Sequence, residues 1–169
     1  MADFNFLNLT DSVRELMNNE IELDISKNRL FISNRLNVDG KVKYSSILIE
    51  SVKESSKVEL AMKISNFLNE KEIVNGKEKI VPKHAASLLS QGEFNRFYIR
   101  AVCLEALKNG DEYVEIYRGR QSSWARQESE LKIGKHLNVN ELLEDLRTNI
   151  GRTPKSLPEV NSGLTVKLI

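Results

Sequence analysis

Apolar residues change their spacing several times along this chain, and each change marks a predicted element. The most regular run is 92–109, where Phe94, Phe97, Tyr98, Ala101, Val102, Leu104 and Leu107 recur at steps of three and four. That is the spacing of a helix with a wide stripe against a core. Asn109-Gly110 supplies the left-handed residue that ends such a helix. Tyr113, Val114, Ile116 and Tyr117 then carry the β-branched and aromatic content of a strand.

Upstream, Thr10-Asp11-Ser12 reads as the opening of a short helix with Val13, Leu16 and Met17 on one side, ended by Asn18-Asn19. ELDI at 22–25 suggests a brief strand. Asp39-Gly40 lies between two strand-like runs, and Leu36, Val38, Val42 and Tyr44 alternate around it, which predicts a hairpin. Leu60, Ile64, Phe67 and Leu68 predict a helix from Lys57 onward. SILIESVK, just before it, fits either a strand or a backward extension of that helix. KEIV-Asn75-Gly76-KEKIV predicts a second, more charged hairpin that Pro82 closes.

Downstream of Pro82, HAASLLSQ predicts a short helix joined to the central one at Gly92. After the strand at 112–118, residues 120–137 carry no regular pattern. Asn138 or Asn140 caps a helix bearing Leu142, Leu143 and Leu146, which Gly151 stops. Glu141, Glu144 and Asp145 fall on its outer face. Thr153-Pro154 and Leu157-Pro158 make a crossing loop, and SGLTVKLI ends the chain as an apolar strand for its own sheet or a partner's. The expected class is α+β. An N-terminal lobe over 1–78 holds helix, hairpin and helix, and a helix–strand–helix–strand lobe follows over 82–169, with the two able to form one compact domain.

Composition narrows the function classes. The chain has 169 residues, 40% apolar and 29% charged, which is ordinary for a globular domain. A net charge of +1 gives no global field toward nucleic acid or anionic lipid. Cys103 is the single cysteine and reads as a small buried hydrophobe. With two histidines beside it, no structural zinc cluster can be assembled. No run is long enough to span a bilayer, and MADFNFLNL lacks the layout of a signal peptide, so retention in the cytosol is expected. The glycines are solitary and form no phosphate loop. His84 and His136 have no Ser, Cys or carboxylate at a diagnostic spacing. No cofactor and no small-molecule substrate is implied.

The arginines are uneven. Arg96 and Arg100 are four apart on the central helix, Arg118 and Arg120 leave the strand on one face around Gly119, and Arg126 follows. Such a cluster can hold phosphate or carboxylate. It can equally pair with Glu93, Glu105, Glu115, Glu128 and Glu130 nearby. Trp124, the only tryptophan, is either a core plug or an interface anchor.

Five segments form a succession: GEFNRFYIRAVCLEAL, VEIYRGR, ARQESELKIG, LLEDLR and NSGLTVKL. Over about residues 88–169 this succession resembles small virion proteins of tailed bacteriophages, encoded near capsid and portal genes. The resemblance implies a virion component of the head or neck, packing against copies of itself or against other virion proteins, and transfers no catalytic or binding residue. The expected function is therefore a non-enzymatic, oligomeric assembly protein. The alternative is a nucleic-acid-binding protein that uses the arginines on phosphates.

Overall fold

A computed structural model describes residues 4–54, 57–121, 127–157, 160 and 162–169. Helix α1 spans Asp11–Ser26. Thr10 caps it, its hydroxyl accepting from the Val13 amide at 3.3 Å. The helix does not stop at Asn18-Asn19. Glu20, Ile21 and Asp24 continue its buried face, so the brief strand expected at 22–25 is the last part of a helix. Asp24 is turned inward and Glu22 outward, as helical spacing requires.

Helix α2 spans Val38–Glu54, which overturns the hairpin expected at Asp39-Gly40. Asn37 decides the outcome: its side chain accepts from the Gly40 amide at 2.8 Å, and its carbonyl accepts from Lys41 at 3.0 Å. Gly40 is needed for space, not for a turn. A Cβ there would lie 2.6 Å from the Phe67 Cβ and 2.9 Å from its carbonyl oxygen. Tyr44, Leu48 and Val52 are buried at a spacing of four, and Val38 and Val42 face out; that is helical periodicity, and it covers SILIESVK. Helix α3, Lys57–Ser65, buries Leu60 and Ile64 as expected.

The second hairpin forms as predicted, from β1 (Lys71–Val74) and β2 (Lys77–Ile80). Val74 pairs with Lys77, and Asn75 and Gly76 both take positive φ, 53° and 73°. Arg35 tethers it through a two-bond clamp on Glu72, at 2.8 and 3.0 Å.

Helix α4, Ala85–Asn109, is a single helix; Gly92 lies within it and is not a joint. Neighbours bury it on most sides, which removes the solvent that a break would need. Gly110, with φ 86°, ends it as predicted. Strand β3 (Tyr113–Arg118) follows, then the short helix α5 (Gln127–Glu130), β4 (His136–Asn138), α6 (Val139–Thr148) and β5 (Leu164–Lys167). Asn138 caps α6 by accepting from the amides of Asn140 and Glu141. Strand β3 is central in an antiparallel sheet ordered β4-β3-β5, so the terminal strand joins its own sheet.

The fold is α+β. One buried cluster draws on both expected lobes, from Val13, Tyr44 and Leu60 to Phe97, Leu142 and Val166, with α4 between them. Among the described residues no helix is long and apolar enough to cross a membrane.

Candidate functional site

Helix α4 carries a charged seam through this core. Glu93, Arg96 and Arg100 recur at steps of three and four, hence on one side of the helix, and all are buried. Three ionisable groups in the middle of a hydrophobic cluster need compensation in place. For Arg100, 0% exposed, α1 supplies it. Its Nε donates to Glu20 Oε2 at 2.7 Å, and its Nη1 and Nη2 donate to Asp24 at 2.6 and 3.1 Å. The pairing then alternates outward. Arg147 of α6 donates from Nε to Glu20 at 3.0 Å, and Arg29 donates to Asp24 at 2.9 Å. Burial alone would raise the Glu20 carboxyl, but the bonds from Arg147 and Arg100 outweigh it and hold the group below the usual range.

Arg96 is held differently. Its Nη1 and Nη2 donate to the carbonyls of Asn149 and Arg152, at 3.1 and 3.4 Å, just past the C-terminal end of α6. A cation is favourable there, where carbonyls lack helical partners. Glu93 lies 3.5 Å from its Nε. That distance is too long for the carboxylate to be well compensated: Arg96 Nε and Glu93 Oε2 both lack a hydrogen-bond partner. Burial pushes the Glu93 carboxyl up, against the pull of Arg96 and Arg100.

At this end the seam meets a pocket of about 380 Å³, within the range of small ligand sites. Glu93 and Arg96 line it, with Phe31, Leu88 and Leu89 as apolar walls and Arg152 and Thr153 at the exposed rim. Gly151 lets the Phe31 ring close one side; a Cβ there would come within 2.5 Å of the ring, and φ is 70°.

The structure therefore separates the arginines predicted as one anion-binding cluster. Arg96 and Arg100 are buried and committed to carbonyls and carboxylates, which removes them from any phosphate-binding face. The Arg96–Glu93 proximity was legible from spacing, whereas the Arg100 partners come from α1, some eighty residues away. Arg118 and Arg120 do share a region. Arg118 Nη2 lies 2.8 Å from Glu130 Oε1, close enough for an ion pair but not aligned for a hydrogen bond. The Arg120 guanidinium sits 5.5 Å over the Phe4 ring, and burial followed by the charge of Arg118 lowers its pKa. The close approach permitted by Gly119 is made by the chain itself: an added Cβ would meet Thr165 at 2.7 Å and Phe4 at 2.9 Å. Trp124 and Arg126 lie outside the described residues, as do Ser122 and Ser123.

Asp145 is a further correction. It is buried, not on an outer solvated face, and accepts from the Ser156 amide at 2.9 Å and the Asn149 side chain at 2.6 Å. Burial would raise its pKa, but the bonds from the Ser156 and Lys155 backbone and from Asn149 lower it. Cys103 is fully buried, and burial pushes its thiol up to about 12, which makes it a poor nucleophile. Among the described residues no three His, Cys, Asp or Glu side chains are grouped to hold a metal. Sequence reasoning missed Glu20, Asp24 and Arg147. The one available signal was that Glu20 and Asp24 stand at helical spacing with Val13, Met17 and Ile21. Comparison of the chain with protein families, curated proteins and solved structures finds no match.

Proposed function

We propose that the chain is a non-enzymatic assembly protein, a head or neck component of a tailed-bacteriophage particle, that acts by contact with copies of itself or with neighbouring virion proteins. The observation that carries this reading is where the large aliphatic side chains are left. Ile73 is 71% exposed and Ile80 79% exposed on the β1–β2 hairpin, and Val38 and Val42 are 79% and 75% exposed one turn apart on α2. The β1–β2 register places Ile73 and Ile80 diagonally on one face of the hairpin, beside the Lys71–Glu78 ion pair at 2.8 Å. Aliphatic residues flanked by opposite charges suit a contact that is both sticky and registered. The guanidiniums on α4 are meanwhile spent inside, on Glu20, Asp24 and the carbonyls after α6.

Size-exclusion chromatography with light scattering at two protein concentrations tests the reading. The expected result is a mass that is a multiple of the chain mass, reduced by Ile73→Asp with Ile80→Asp. A strict monomer at both concentrations overturns it.

A further inference from the structure

We infer that the outer side of α2 is the contact surface for a second copy of this chain, packed antiparallel across a two-fold axis at Ser46. The inference rests on the assembly reading and deepens it by naming the partner and the register. Asp39, Lys43, Ser46, Glu50 and Lys53 all lie on α2 and all are exposed. Their spacing of four, three, four and three keeps them on one line along the helix. Val38 and Val42 run beside that line, and the half-buried Ile49 continues it.

The order of signs on the charged line selects the occupant. From its N-terminal end the line runs negative, positive, neutral, negative, positive. A second copy laid antiparallel presents the same line reversed, so every charge meets its opposite. Asp39 meets Lys53 of the second copy, Lys43 meets its Glu50, and the two Ser46 side chains meet at the axis. Each contact is returned by symmetry, which is the mark of a closed two-fold interface. A parallel copy would set each charge against itself, and that repulsion fixes the orientation. An unrelated partner would need no such self-matching order.

The aliphatic positions follow the same operation. Val42 faces Ile49 of the second copy, and Val38 faces the aliphatic stem of its Lys53. The short Ser46 side chain at the crossing lets the helix axes approach to about 8 Å. Two of the charges already have neighbours, and neither is used up. Glu50 meets Lys63 at 2.9 Å through Oε1 and keeps Oε2 as an acceptor. Lys43 lies 5.1 Å over the Phe67 ring, a contact that leaves N–H donors for a carboxylate.

Ser46→Cys in the full chain tests the axis. Facing Cα atoms on helices so close lie about 4–6 Å apart, within the reach of a disulfide. Mild oxidation is expected to give a disulfide-linked dimer that a reductant reverses. Lys108→Cys, on the exposed last turn of α4, should stay unlinked. The native Cys103 is fully buried and does not compete.

Sedimentation equilibrium tests the register. Lys43→Glu and Glu50→Lys each turn two attractions across the axis into two repulsions, and each should weaken association about tenfold. Both changes in one chain should restore it. An equimolar mixture of the two single variants should restore it too, because each then meets its complement. Lys63 keeps Glu59 at 3.2 Å when Glu50 is replaced, so the dilute fold should be little affected. No disulfide dimer from Ser46→Cys, or a double variant no tighter than the singles, overturns the inference. If the native chain is a strict monomer, the assembly reading and the inference fall together. If it associates but Ser46→Cys does not link, the inference alone falls.

Discussion

The seam along α4 and the outer surface of α2 and the β1–β2 hairpin invert the usual distribution of residues. Inside, Glu20, Asp24, Glu93, Arg96, Arg100 and Arg147 bring charge into a hydrophobic cluster. Outside, Val38, Val42, Ile73 and Ile80 leave aliphatic surface in water. The two choices differ in what they do for folding. Buried ion pairs recover little beyond their own desolvation, but they admit only one arrangement of the helices that supply them, here α1, α4 and α6. Exposed aliphatic residues add almost nothing to an isolated fold and remain available to a partner. The inside of this molecule therefore specifies a geometry, and the outside offers it for contact.

The largest effect should come from the centre of the seam. Arg100→Met removes the buried cation that faces both Glu20 and Asp24 and leaves each of these carboxylates with only its outer partner, Arg147 or Arg29. A loss of about 3 kcal/mol or more is expected in urea denaturation. Arg147→Met should cost clearly less, since that guanidinium is 26% exposed and Glu20 would keep Arg100. Equal losses would break the comparison, because the seam would then behave as separate surface pairs.

The arginine positions also show what the sequence could and could not disclose. Elements set by local chemistry were legible: a helix opening within Thr10-Asp11-Ser12, where Thr10 is the cap, a cap at Asn138 or Asn140, where Asn138 takes it, Asn75-Gly76 as a turn with two positive φ values, and Gly110 as a stop. Asp39-Gly40 misled because the same dipeptide serves a tight turn or a helix's first turn. Asn37, together with the room Phe67 leaves for Gly40, chose between them. The site was half legible for a similar reason. Spacing put Arg96 and Arg100 on one side of α4 and Glu93 within reach, but spacing within a helix does not say which way that side faces. Only the packing of α1 and α6 turns it inward, and contacts over that separation have no local signature.

Within the seam, Glu20 and Glu93 are opposites, and pH separates them. The folded pKa of Glu20 is lowered, so the stability it contributes is present above its unfolded value and is lost as pH falls through the folded one. The folded pKa of Glu93 is raised, so its contribution is present below the unfolded value and is lost as pH rises through the folded one. Relative to the native chain, Glu93→Gln should therefore gain stability as the buffer moves from about pH 4 to about pH 8, and Glu20→Gln should lose it over the same interval. Urea midpoints across that range give both signs. Parallel curves for the two variants would mean that both carboxylates are equally well compensated, which the orphaned Glu93 Oε2 argues against.

The smallest effect should be found outside. Val42→Ser and Ile80→Ser remove side chains that have almost no contacts to lose, so in dilute solution each should stay within about 0.5 kcal/mol of the native chain. A larger loss at that dilution would mean that these residues support the fold itself and would remove the contrast with Arg100. Concentration sharpens the same measurement. If copies of the chain cover these side chains, association stabilises the native state by mass action. The thermal midpoint of the native chain then climbs with protein concentration while those of the two variants stay flat. A variant indistinguishable from the native chain when dilute and separated from it when concentrated locates the use of that aliphatic surface in the contact between molecules.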